Sequence, residues 1–479
     1  MKKLMMALVS GSAVVAFGTE SVVTNRFVGV TGSSAPKATQ CRELSGNSYP
    51  SPFGIASAWS DNQVPHYGPV YVAGKTNGAS SVLWTPITVG KEVHYDMFKT
   101  LILETGCTFC IRHGGGKAAI FDDLRIEGSP SIWGPSGTLV LGGKITLADD
   151  ARLDVCTYNN KEISITSEIE GNGDIRIISQ NGTDYVGGKY ELYGLNSKWL
   201  GKIEVRARVP DKENRQPSLS NYHSTLSITN VTNLGGALNE FTYDALKLMY
   251  YSKLQIDGKN LVLPKNSNRG ILISSSHGRI NVPETSEMFT LNSSITLTKN
   301  VHFYKEGEGR LILGDSLRFL DKNGAFNNTS PDENCDYYID IRGGAIAITH
   351  CDALNGAHIA FSNNTEMVMS IDIPEGDLKR YGMRCDKTDE AFATDVPIKL
   401  VESEKGSLTE SKYSVALTTV KKEYAEDALE KISVELVDVN NYKLLGVRTV
   451  ANEKASEEDE ETVTLYADIL HNGLVISVR

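Results

Sequence analysis

The sequence predicts an all-β solenoid whose last coil is covered by a small C-terminal α+β capping domain. Three observations carry this expectation. Short units of apolar residue, spacer and apolar residue recur from about residue 98 to residue 373. Most turns between them are longer loops holding one glycine. Near Asp386 the units give way to longer strand-like runs and one helical stretch.

The unit series runs Leu101/Leu103, Leu124/Ile126, Leu139/Leu141, Ile145/Leu147, Leu153/Val155, Ile163/Ile165, Ile175/Ile177 and Ile203/Val205. It resumes with Leu226/Ile228, Leu246/Leu248, Leu254/Ile256, Leu261/Leu263, Ile271/Ile273, Ile280/Val282, Ile295/Leu297 and Leu311/Leu313. Ile339/Ile341, Ile346/Ile348 and Ile359/Phe361 complete it. Period two marks half-buried strands, and helical spacing is rare here. Two architectures satisfy many short strands with one apolar face: antiparallel sandwiches, or a solenoid whose inward side chains form one long core. Tight hairpin dipeptides would favour sandwiches. Few occur beside so many strand pairs: Asn181-Gly182, Asp257-Gly258, Asn323-Gly324 and Asn355-Gly356. The uniform style favours the solenoid.

Glycines fall in a repeated frame. "IEGNGDIRI" (Ile169 to Ile177) and "YKEGEGRLILG" (Tyr304 to Gly314) share Gly-x-Gly-x-apolar-x-apolar, and "GPSGTLVLGG" (Gly134 to Gly143) is a looser copy. Such glycines allow positive φ at a coil corner, where a Cβ would clash. A dinucleotide loop needs a third glycine and a following helix; here a strand follows.

"YELYGLNSKWLGKIEVRA" (Tyr190 to Ala207) is strand-like at both ends and broken by Gly194-Leu195-Asn196-Ser197. With the preceding Gly-x-Gly unit it resembles the autotransporter-associated β-strand repeat. The residues that carry the likeness are Gly171, Gly173, Ile175 and Ile177, then Leu192, Gly194, Asn196, Trp199, Gly201, Ile203 and Val205. It spans roughly residues 160 to 207 and again about 290 to 314. The resemblance implies a right-handed parallel β-helix, secreted or displayed at the bacterial cell surface. It makes the break a corner between two strands of one coil, where a buried asparagine can bond turn amides and an aromatic ring can cover the core. "WSDNQVPHYGPVYV" (Trp59 to Val72) and "LWTP" (Leu83 to Pro86) resemble the lead-in of exported proteins with these repeats. The tail lacks the repeated strands of about 9–11 residues that an outer-membrane barrel requires, so self-translocation by a fused barrel is not expected.

The chain has 479 residues, 48 basic against 59 acidic, net −11. With no Arg/Lys cluster, this argues against nucleic acid or anionic lipid as a main partner. Lys2 and Lys3, the apolar or small run Leu4 to Phe17, and Ala16-Phe17-Gly18 read as an export signal over residues 1–18, cut at Gly18–Thr19. No later run is apolar enough to span a bilayer as a helix. The expected plan is a lead-in over 19–90, the solenoid over 91–380 and the end domain over 386–479.

In that end domain "KYSVALTTV", "VELVDV", "YKLLGVRTV", "TVTLYADIL" and "GLVISV" read as strands. "KKEYAEDALEKI" reads as a helix with Ala425, Ala428, Leu429 and Ile432 on one face. Covering the last coil is its expected role, because open strand edges pair with other chains. The acidic run Glu453 to Thr462 reads as a solvated loop.

Seven irregularly spaced cysteines make no disulfide scaffold. Cys107-Thr108-Phe109-Cys110 is a lone CxxC in a strand-like run, without the helix start of a redox site or the second pair of a zinc site. The carboxylates a polysaccharide-active enzyme would need have candidates in Asp122-Asp123 and Asp149-Asp150. Both pairs sit near turns, where Asp caps the backbone. His66, His113 and His302 stand alone in sequence. Ser136 lacks the last glycine of a G-x-S-x-G elbow. Tyr250-Tyr251 and Tyr337-Tyr338 could stack on sugars, although such pairs more often split between core and surface. Catalytic, cofactor-binding and metal-binding residues are therefore assigned to none, and no cofactor is expected. The expected function is an exported, non-enzymatic structural or adhesive element of the cell surface, exterior or periplasm, with glycans or cell-surface components as partners. The alternatives are a carbohydrate-active β-helix enzyme (lyase or glycoside hydrolase) and a soluble β-sandwich glycan-binding module.

Overall fold

The computed structural model describes residues 24–27, 51–54, 56–67, 69–75, 80–86, 88–134, 138–157, 161–179, 188–207, 224–275, 277–298, 301–320, 324–327, 338–349, 353–354, 357–362, 364–372, 383–385, 395–453 and 461–472. The export signal, Ser136, Tyr337, Asn181-Gly182, Asn355-Gly356, "GLVISV" and most of the acidic run lie outside these residues, as do the side chains of His113 and Tyr338.

The described residues are mostly strands, arranged in long parallel sheets. The first sheet has 15 strands, from Thr24–Arg26 to His358–Phe361. The second has 11, from Ser81–Trp84 to Phe326–Asn327, and the third 7, from Leu261–Leu263 to Ile432–Leu436. The chain alternates between the first two: Thr138–Leu147 in the first, Arg152–Thr157 in the second, Glu162–Ile165 in the first, Asp174–Ser179 in the second. From Leu261 onward it also visits the third. Register is kept at each return. Leu139 pairs with Ile163, Ile163 with Tyr190, Tyr190 with Leu226, and Leu226 with Leu254.

Alternation fixes which side chains point inward. Every apolar unit residue named above is buried except Leu261, which is half-buried. Each fully buried Ile or Leu contributes about 1.5–3 kcal/mol. One contiguous core runs from Phe27 to Ile469. Its N-terminal end is aromatic: Trp59 meets Phe27 and Tyr71 edge-on at 5.5 and 5.1 Å, and Phe53 meets Phe98 at 4.9 Å. Antiparallel pairing enters the three sheets at one described place, Phe319 with Asn327 and Leu320 with Phe326; Asn323 of the expected Asn323-Gly324 turn lies outside the described residues.

The corner residues act through backbone contact. Gly171 and Gly307, first in each Gly-x-Gly, have φ of 100° and 76°. The second glycine answers a different need: a Cβ on Gly173 would lie 2.6 Å from the Ala148 carbonyl oxygen. A Cβ on Gly201 would stand 1.9 Å from the Gly173 oxygen. Asn196 is fully buried. Its Oδ1 accepts from the Ile169 amide at 3.1 Å, and its Nδ2 donates to the Asn233 carbonyl at 3.1 Å. Asn233, beneath it, accepts from the amides of Thr229 and Asn230 and donates to the Gly194 carbonyl. Trp199 closes the corner, its Nε1 donating to the Gly173 carbonyl at 2.7 Å. Arg269 reaches the same corner and donates to the carbonyls of Gly236, Gly201 and Trp199.

The change of style near Asp386 marks no break in pairing. Val396–Val401 and Ile432–Leu436 extend the third sheet in parallel. The other end-domain strands join Met383–Cys385, which precedes the expected boundary, in a four-stranded sheet of order Met383–Cys385, Lys412–Lys421, Thr462–His471, Tyr442–Ala451. The helix is shorter than its sequence pattern, Ala425–Lys431. Ala428 is buried, Ile432 is already strand, and Leu429 is 37% exposed, so the expected apolar face is only partly used.

Candidate functional site

The outer face of the first sheet gathers the densest set of chemically active side chains. One outward row runs Glu162, Lys189, Thr225, Lys253, Arg279, Tyr304, Asp340. The next runs Ser164, Glu191, Ser227, Gln255, Asn281, Glu306. Neighbouring strands of the sheet thus place residues distant in sequence side by side.

At one end, the Lys189 ammonium bridges the Glu191 carboxylate and, at 3.6 Å, that of Glu162. Burial, and then the neighbouring Glu191, raise the Glu162 carboxyl above the usual range. Burial works upward on Glu191 too. Hydrogen bonds from Lys189, Glu162 and Tyr193 outweigh it, and that carboxyl stays low. The two carboxyls are therefore shifted in opposite directions, Glu162 up and Glu191 down. Ser227, next to Glu191 in the row, is fully buried and its hydroxyl has no hydrogen-bond partner among the described residues.

At the other end, rings stack. His277 and His302 occupy the same register position of adjacent strands, with centres 4.9 Å apart. Tyr251 meets His277 edge-on at 5.0 Å, and Tyr304 lies 5.2 Å from His277 and 5.9 Å from His302. The Arg342 guanidinium covers Tyr304 at 3.6 Å and pairs with Asp340 at 3.3 Å. Arg279 pairs with Glu306 at 2.8 Å. Burial, then the charges of His302, Arg279 and Arg342, push His277 down to about 4. Its imidazole is neutral near pH 7 and offers both a donor and an acceptor.

Behind this patch lies a buried cation. Lys305 occupies an inward strand position, and its ammonium donates to the carbonyls of Gly307, Gly309 and Gly343. Burial depresses it to about 8. Between that value and the ordinary lysine range, the unfolded chain binds the proton that the folded chain has released. Stability from this group therefore rises with pH from about 8 to about 10.5, by up to ~3 kcal/mol. Urea melts across that window should show the wild type gaining on Lys305→Met as pH rises. Parallel curves would rule out the buried ammonium.

The residues singled out in sequence divide as follows. Tyr251 and His302 join the stack. Tyr250 and Tyr251 are both half-buried, with φ of 51° and 64°, so neither is a core ring. His66 bonds Tyr71 near the N-terminal end. Asp123 accepts from Thr100 and Thr146, and Asp149 accepts from Asn172. Asp150 holds a left-handed turn at φ 58°. Asp149 and Asp150 form a turn as expected, but Asp122 and Asp123 lie inside the strand Ala118–Ile126, and the bonds of Asp123 and Asp149 run to side chains rather than to the backbone. Cys107 is free and buried, its thiol pushed up to about 12 by burial. Cys110 is disulfide-bonded, so the CxxC is not a dithiol pair closed on itself. Sequence reading missed Glu162, Glu191 and His277. The usable signal was positional: "HGRIN" (His277 to Asn281) sits directly on "HFYKE" (His302 to Glu306).

A shallow groove on the outer face of the third sheet is lined in part by Glu287, Glu308, Arg310 and Glu366. Glu287 and Glu366 there pair with Lys259 and Lys399, each at 2.5 Å. Among the described residues no three His, Cys, Asp or Glu side chains are placed to hold a metal ion, and no helix is long and apolar enough to cross a membrane. Flat rings, neutral imidazole, amides and paired charges on one rigid face suit a ligand rich in hydroxyls. Comparison with protein-family models, with curated proteins and with solved structures returns no significant match.

Proposed function

We propose that the chain is an exported, non-enzymatic structural or adhesive protein of the bacterial cell surface or exterior. In this reading it is a right-handed parallel β-helix of the autotransporter-associated repeat type, with glycans or cell-surface components as partners. The observation that carries it is the band on the first sheet. A continuous core holds two outward rows of hydrogen-bonding groups in register, and the half-buried rings of Tyr251, His277 and His302 lie beside them. The repeated return of the chain to the same parallel sheets supports the solenoid.

Glycan arrays and attachment to intact cells test the reading. Tyr251→Ala combined with His277→Ala should weaken attachment by about tenfold. Unchanged attachment, or release of reducing ends or unsaturated products by the purified chain, would count against it.

A carbohydrate-active enzyme is the second reading, favoured by the Glu162–Glu191 pair, whose members are driven apart in proton affinity as acid–base catalysis requires. Glycan cleavage that is lost in Glu162→Gln would support it.

A further inference from the structure

The outer face of the second sheet carries a different assembly. Its outward row runs Glu204, Lys247, Leu272, Thr296, Arg318. The Arg318 guanidinium lies 4.6 Å from the centre of the Phe241 ring and 5.7 Å from that of Phe326. Tyr243 meets Phe326 edge-on at 5.5 Å. Phe241 and Phe326 are 39% and 43% exposed.

Other arginines of this face are paired. Arg176 and Arg152 bind Asp154, and Arg206 lies 3.6 Å from Glu204. Arg318 has no carboxylate partner and no hydrogen bond among the described residues; its contacts are the two rings. Thr296, its neighbour in the row, is fully buried and its hydroxyl has no hydrogen bond among the described residues. The planar fork of five donors is thus positioned by aromatic contact and left unused.

We propose that this aromatic-bracketed guanidinium binds the carboxylate of an acidic sugar, a hexuronate unit of a polysaccharide. Arginine takes a carboxylate through two parallel hydrogen bonds, and the apolar face of a pyranose packs on an aromatic ring. A hexuronate carries its carboxylate on the ring, so one unit spans both features. A carboxylate on a flexible peptide uses the fork and leaves the exposed rings uncovered. With a net charge of −11 the chain supplies no long-range attraction for such a ligand. The contact is local and weakens with salt. The proposal rests on the reading that outer faces contact glycans, but it uses a different sheet.

Calorimetric titration of the full chain with oligogalacturonate tests it. The comparison ligands are the same oligosaccharide with its carboxylates reduced to alcohols, and polyglutamate. The expected result is binding at low salt that falls about tenfold or more in Arg318→Gln. Arg318→Lys should keep part of it, and Phe326→Ala should weaken it severalfold. The reduced ligand should bind wild type about tenfold more weakly. Equal binding by Arg318→Gln, equal affinity for the reduced ligand, equally tight polyglutamate binding, or no uronate binding by wild type would each overturn the proposal. If Arg318→Gln fails to fold, the reduced ligand on wild type and Phe326→Ala still decide. Uronate binding lost with Tyr251 and His277 but kept in Arg318→Gln supports the first-sheet reading and removes this site.

Discussion

Replacing Ile175 by aspartate is expected to destabilise the chain by about 4 kcal/mol or more, because a carboxylate enters the core without a partner. Ile175 is fully buried and pairs in register with Leu153 on one side and Ile203 on the other. Water cannot reach it, and no cation stands nearby in those two positions. Urea melts of Ile175→Asp beside Glu204→Gln check the claim. Glu204 points outward from the next position, and its loss should cost about 1 kcal/mol or less. Two similar melts would mean that Ile175 does not face the core.

The second large effect is expected at the asparagine corner. Asn196→Ala leaves the Ile169 amide and the Asn233 carbonyl without the partners they have now. At about 1–3 kcal/mol for each buried group left unpaired, a loss of about 3 kcal/mol is expected. Asn233→Ala should act similarly, since it strips the amides of Thr229 and Asn230. The double variant should cost less than the two losses added, because the residues share one network. Strict additivity in denaturant melts would show that the two corners act independently.

Much of the architecture was legible because buried strands impose period two on apolar residues, and corners impose glycine where backbone atoms touch. Ile175/Ile177 and Gly171-x-Gly173 are examples of each. The lateral neighbours were not legible. Lys189 follows Glu162 in the row, Thr225 follows Lys189, and the loops between them differ in length. No fixed period therefore brings Glu162 beside Lys189, or His277 onto His302. Lys305 was hidden for another reason. It holds an inward position that period two assigns to an apolar side chain, and three carbonyls satisfy it there. The start of the third sheet at Leu261 also leaves no compositional mark, because its strands share the units of the other two.

The three sheets do not finish together. Among the described residues the second ends at Phe326–Asn327, the first at His358–Phe361, and the third runs on to Ile432–Leu436. Force applied through the C-terminal side would first meet the four-stranded sheet that holds Thr462–His471, and then a stretch of the third sheet that runs on past the ends of the other two. Strands of that stretch would give way one at a time, each release lengthening the tether.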